Sequence, residues 1–128
     1  MTILEFPEPP APNGFSPAVV VAAGSRIVHT SGQVAIGTDG VVPDGWEEQT
    51  RLVFRNLGAV LAAAGATWAD VIKLTYFVTA TTDLPTLRRV RDEFVDVTRP
   101  PASSLVRVAG LFRDDLLIEI EAVAAIPS

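Results

Sequence analysis

Glu119 and Glu121 alternate with Ile118 and Ile120 near the end of the chain, and that spacing sets both carboxylates on one face of a strand. A carboxylate held this way can place a water molecule or carry a proton, although by pattern alone the pair better fits a solvated sheet face, and Glu121 is read as structural. Ser103, Leu105 and Arg107 share one face of an earlier strand by the same rule. Arg88 sits with Arg89 and Arg91 on a helical stretch. A guanidinium offers two parallel donors to a carboxylate, so a pocket lined by inward-pointing Arg88 or Arg107 binds anions. Other chemistries lack their parts. There is no cysteine, which removes thiolate catalysis and disulfides. His29 is the single histidine, so a histidine metal site or a histidine-centred triad is not expected within one subunit. It reads instead as a core or interface residue. Ser103 without a histidine base is not expected to be a nucleophile.

The chain has 128 residues, which fits one domain able to bury a core without staples. Ten basic against fifteen acidic residues leave a net charge of −5, which argues against a nucleic-acid partner. No apolar run is long enough to span a bilayer, so no membrane partner is expected. The start, Met1 to Pro7, lacks a basic region and a long apolar run, so a cytoplasmic location is the default expectation. Hydrophobic residues make up 48% of the chain and charged residues only 20%. A small domain does not hide that much apolar surface within itself, so composition predicts burial between subunits.

The elements that must position these groups follow from local signals. Prolines 7, 9, 10 and 12 make residues 1–13 an extended lead-in. Valine-rich Ser16 to Ala23 and the stretch Arg26 to Ala35, separated by Gly24-Ser25, predict a hairpin. Gly32 inside the second strand predicts a bulge or a close backbone approach. Asp44 with Glu47 predicts a capped start for the first helix. Val53, Leu57, Val60, Leu61 and Ala64 form its apolar stripe, and Gly65 is placed to end it. Val71 to Thr79 reads as a strand. Asp83 and Pro85 open a second helix with the stripe Leu84, Leu87, Val90, Phe94 and Val97, stopped by Pro100-Pro101. Two strands, 102–111 and 116–126, close the chain around Arg113-Asp114-Asp115. Trp46 and Trp68 flank the first helix and are predicted to pack as anchors. The order β-β-α-β-α-β-β, with one stripe per helix, predicts an α+β fold with both helices on one face of a single sheet. The other face is left as an oligomer surface.

Several short words recur along this frame: Gly14-Phe15-Ser16-Pro17, Thr30-Ser31-Gly32-Gln33, Glu48-Gln49-Thr50 with Asn56, Ala64-Gly65, Asp70-Val71-Ile72-Lys73 with Phe77-Val78, Pro101-Ala102-Ser103, and Ile118-Glu119-Ile120-Glu121-Ala122. In this order they resemble the reactive intermediate deaminase family (Rid, also called RidA or YjgF). The resemblance implies a chorismate-mutase-like domain over residues 1–128, assembled as a homotrimer. Its sheets would line a central barrel, with a small-molecule pocket at each subunit interface. It also implies hydrolysis of imines and enamines with no cofactor and no metal.

Within the resemblance, Glu119 matches the glutamate that helps place the attacking water, and Gly32 the glycine whose backbone faces the pocket. Phe15 stands where the family carries tyrosine, Arg88 where it carries asparagine and Leu105 where it carries cysteine. Ser103 stands where the family carries the arginine that binds the substrate carboxylate. The expected pocket is therefore lined by Phe15, Gly32, Arg88, Ser103, Leu105, Arg107 and the catalytic Glu119. Arg88 and Arg107 are candidates to replace the missing cation. By pattern alone, Arg107 equally fits a subunit salt bridge or an edge-strand charge, and Arg88 a solvated helix face. The expected activity is imine or enamine hydrolysis on a substrate other than simple 2-imino acids. The alternative is a non-catalytic small-molecule-binding or sensor trimer.

Overall fold

The computed structural model describes residues 3–128. Among the described residues, seven strands and two α-helices follow in order: β1 (Leu4–Glu5), β2 (Val20–Val21), β3 (Arg26–His29), β4 (Gln33–Val34), α1 (Trp46–Ala63), β5 (Val71–Val78), α2 (Leu84–Arg91), β6 (Ala102–Arg107) and β7 (Ile118–Ile126). A single 3-10 turn, Trp68–Asp70, joins α1 to β5. The main sheet runs β3-β7-β5-β6, with β4 also paired to β7. β5 lies parallel to β6 and antiparallel to β7. The parallel pair needs a crossover, and α2 supplies it. The expected α+β architecture is therefore present.

Alternation along the strands sorts the sheet into two faces. Leu74, Tyr76 and Val78 of β5 and Ile118, Ile120, Ala122 and Ala124 of β7 are buried against the helices. They meet Val53, Phe54, Leu57 and Leu61 from α1 and Leu87 and Val90 from α2. Phe54 stacks on Phe94 at 5.2 Å between ring centroids and tilts against Trp68 at 5.5 Å. Trp46 is also packed against this core, so both tryptophans act as anchors. The outer face carries Lys73, Thr75 and Phe77 of β5 beside Glu119, Glu121 and Val123 of β7. It is mixed rather than apolar, although Ile27 and Val106 are 47% and 44% exposed.

Local expectations held where their signals were local. Gly65 follows the end of α1 with φ +84°, the left-handed geometry that favours glycine. Asp83 caps α2 by accepting from the Thr86 N–H at 3.3 Å. Other expectations need correction. The first two strands do not form a hairpin. Only Val20–Val21 of the first is extended, and it pairs with β1 in a separate two-stranded sheet. The second breaks at residues 30–32 into β3 and β4, both paired to β7. Asp44 does not cap α1. The cap position is Gly45, with φ 84° and no side-chain hydrogen bond. The capping box belongs to Thr67 and Asp70 instead. Helix α2 ends at Arg91, well before the prolines, and Val97 of its predicted stripe is exposed. The last two strands do not pair with each other, because β5 lies between them.

Candidate active site

Register decides which side chains can meet. In the parallel pair, Ser103 lies beside Leu74, Leu105 beside Tyr76 and Arg107 beside Val78. Neighbours across a ladder share a face, so these β6 side chains stand on the helix side of the sheet. Glu119 lies beside Phe77 and therefore stands on the opposite face.

On the helix side, β6 is an edge strand, and a cavity of about 130 Å3 opens between it and α2. Its apolar wall is Phe15, Leu84, Leu87 and Leu105. Its polar groups come from Asn13, Tyr76, Arg88, Arg91 and Ser103. Phe15 reaches this wall because its loop is tied at both ends. Arg91 Nη1 donates to the Asn13 carbonyl oxygen at 2.9 Å. Ser16 donates through its backbone N–H to the Pro101 carbonyl and through its hydroxyl to the Pro100 carbonyl. Gly14, at φ +83°, passes so close to the Arg91 guanidinium that a side chain there would overlap it.

Arg91 is only 8% exposed, and its charge is met by Asp92 at 2.9–3.0 Å. Arg88 forms no ion pair among the described residues. Tyr76 is 2% exposed, and its hydroxyl has no hydrogen-bond partner among the described residues. Burial pushes its phenol well above the ordinary tyrosine range, so it stays neutral and can donate.

On the outer face, Glu119 sits over Gly32. A Cβ at position 32 would lie 2.7 Å from the carboxyl carbon of Glu119 and closer still to one carboxylate oxygen. Thr30 holds this approach by accepting from the Ala122 N–H at 3.0 Å. Asn56 fixes the next segment to α1 by donating to the carbonyls of Val34 and Ile36 at 2.9 and 3.1 Å. The close approach expected at Gly32 is thus real, and its partner is Glu119.

The seven expected pocket residues consequently divide within one chain. Phe15, Arg88, Ser103 and Leu105 line the cavity, whereas Gly32 and Glu119 meet on the other side of the sheet. Arg107 is exposed on β6 and does not line the cavity. His29 is exposed on β3. Tyr76, Arg91 and Asn13 were not expected at the site. Tyr76 had a signal: it is the one polar side chain at the buried parity of β5.

The family model for Endoribonuclease L-PSP matches residues 7–126. TdcF of Escherichia coli strain K12, named as a reactive intermediate deaminase, is 36% identical over 117 residues, covering 89% of this chain and 90% of its own. A protein of Dermatophagoides farinae named 2-iminobutanoate/2-iminopropanoate deaminase is 33% identical and covers 97% of this chain and 95% of its own. Among solved structures, the Rid protein YyfB of Yersinia pestis superposes with a TM-score of 0.87 at 35% identity, covering 98% of this chain and all of its own. The chain belongs to this family, the reactive intermediate deaminases of the RidA/YjgF type.

No helix among the described residues is long and apolar enough to cross a membrane.

Proposed function

We propose that this chain hydrolyses a small imine or enamine in a pocket completed by a second copy of itself in a homotrimer, with Glu119 placing the water. The observation that carries this reading is the division of the site. Glu119 and the cavity lie on opposite faces of one sheet, so one chain alone does not present both to a ligand. A neighbouring copy laid against the exposed outer face closes that gap. The names of the E. coli and D. farinae relatives support the reaction class. The net charge of −5 weighs against the nuclease named in the family model, because a polyanion is repelled.

The chemistry is undemanding. Water adds its oxygen to the C=N carbon and passes a proton to nitrogen. The resulting carbinolamine expels ammonia as its C–N bond breaks, leaving a carbonyl. A positioned water and a proton carrier suffice, and a glutamate can serve both. Ser103 offers one neutral hydrogen bond where the resemblance implies a charged pair. That difference weakens the grip on a carboxylate by roughly two powers of ten unless another cation stands in.

The test is ammonia release from freshly generated 2-iminopropanoate and 2-iminobutanoate, with and without the purified protein. Because Arg88 lines the same cavity as Ser103, acceleration is expected even for these simple 2-imino acids, in departure from the expectation drawn from Ser103 alone. Glu119→Gln should lower kcat by roughly a hundredfold or more with the trimer intact. Turnover indifferent to that change would sink the role of Glu119. A second reading, a sensor that binds a small molecule without turning it over, is favoured by Phe15, Ser103 and Leu105, which stand where the resemblance implies tyrosine, arginine and cysteine. A bound ligand recovered chemically unchanged would support it.

A further inference from the structure

The cavity between α2 and β6 is unbalanced in charge and in hydrogen bonding. Two guanidinium groups, Arg88 and Arg91, belong to its wall, and no acidic side chain is among the described residues that line it. Arg91 is already matched by Asp92 and by the Asn13 carbonyl. The Arg88 side chain has neither ion pair nor hydrogen bond among the described residues, so one positive charge is left over. The Tyr76 hydroxyl is a buried donor with nothing to receive it. Buried polar groups in folded proteins are nearly always partnered, so such a group beside a cavity points to a missing acceptor. One surplus cation and one surplus donor, with apolar Phe15, Leu87 and Leu105 opposite, describe a receptor for a monoanion with a short apolar body.

Size narrows the class. A cavity of roughly 150 Å3 takes a benzene ring, so about 130 Å3 takes a ligand of about six heavy atoms. A three-carbon carboxylate such as 2-oxopropanoate, with six heavy atoms, fits, and its single charge matches one surplus cation better than the double charge of a phosphate monoester.

We infer that Arg88 is the residue that grips the substrate, and that the substrate is a small monocarboxylate whose anion faces α2, with the Tyr76 hydroxyl as a second donor. This rests on reading the cavity as half of the hydrolytic pocket. It moves the cation from the strand position held by Ser103 to the helix above it. Exposed Arg107 takes no part.

Calorimetric titration of the full-length protein with 2-oxopropanoate, a stable stand-in for the imine, tests the assignment, with propanone as the uncharged probe. The wild type should bind 2-oxopropanoate and not propanone. Arg88→Gln should weaken binding by roughly ten- to a hundredfold. Arg89→Gln, the same charge change on a residue paired with Glu47, should leave binding within about twofold. Tyr76→Phe should weaken binding while raising Tm, a combination that a purely structural tyrosine would not give. No binding by the wild type, an unchanged Arg88→Gln, or a larger loss in Arg107→Gln would overturn the assignment. Binding that depends on Arg88 without ammonia release from any imine would overturn hydrolysis and leave the anion site standing. Ammonia release indifferent to Arg88→Gln would do the reverse.

Discussion

The two faces of the main sheet obey different rules. On the helix side, side chains from β5, β7 and both helices interlock with almost no exposure, and nearly all are apolar. On the outer side, Lys73, Thr75, Glu119 and Glu121 stand among Phe77, Val123 and the exposed Ile27 and Val106. The first face is satisfied within the chain. The second is not: Glu119 has no ion-pair partner among the described residues, and its apolar neighbours remain wet. The difference teaches where the fold ends and the function begins. Groups that specify the structure are closed over, and groups proposed for chemistry sit where closure is incomplete, either on the outer face or at the edge cavity beside β6.

Substitutions can break or sharpen this contrast. The largest effect belongs to the closed face. Leu57 is fully buried, so Leu57→Ala should cost about 2–5 kcal/mol in urea unfolding, with the activity of the surviving folded fraction retained. A loss below about 1 kcal/mol would show that the face repacks freely.

Gly32→Ala comes next. Its backbone is ordinary, and the nearest atoms to the new methyl belong to the Glu119 side chain, which can swing aside. Stability should change by less than about 1 kcal/mol, while turnover should fall at least roughly tenfold as the carboxylate moves. Equal losses in both would mean that the approach serves packing alone.

Tyr76→Phe is the mildest. Removing an unpartnered buried hydroxyl should stabilise the free protein by about 1 kcal/mol. Burial raises the pKa of this phenol in the folded chain above its ordinary value of 10.0. Below pH 10 both states keep the proton and no pH dependence arises. Above it the unfolded chain loses the proton first, so wild-type stability should fall as pH rises past 10. Tyr76→Phe should flatten that limb. Because Tyr76 is the sole tyrosine, phenolate absorbance should grow only as the protein unfolds. Phenolate appearing before unfolding would contradict its burial.

What could be read from the sequence follows the range of the forces involved. The stripe of α1, the glycine at its end and the Asp83 cap are set by residues a few positions apart, and spacing reveals them. Val20–Val21 leaves its neighbour β3 for β1 because pairing depends on what the distant Ile3–Leu4 segment and Ala125 bury together. The placement of β5 between β6 and β7 is likewise a long-range choice. At the site, parity alone put Glu119 and Glu121 on one face and Ser103, Leu105 and Arg107 on one face of their own strand. It did not say that these faces are opposite, since that depends on the register of two ladders. Arg91 and Arg88 could not be told apart by spacing either. Only the packing of α2 over β6 leaves one neutralised and the other free.

Ser16 joins residues that are 84 positions apart when it bonds to the carbonyl of Pro100. A chain leaving the ribosome therefore makes Phe15 long before the β6 wall opposite it. Until residues 91–101 have emerged, the loop that carries Phe15 has nothing to fasten to, and until β6 follows the cavity has no floor. Ligand cannot guide the early stages of folding in such a design; it can only reward a finished molecule. A fragment ending before residue 100 should thus be a poor competitor for ligand in the cell, whatever secondary structure it acquires.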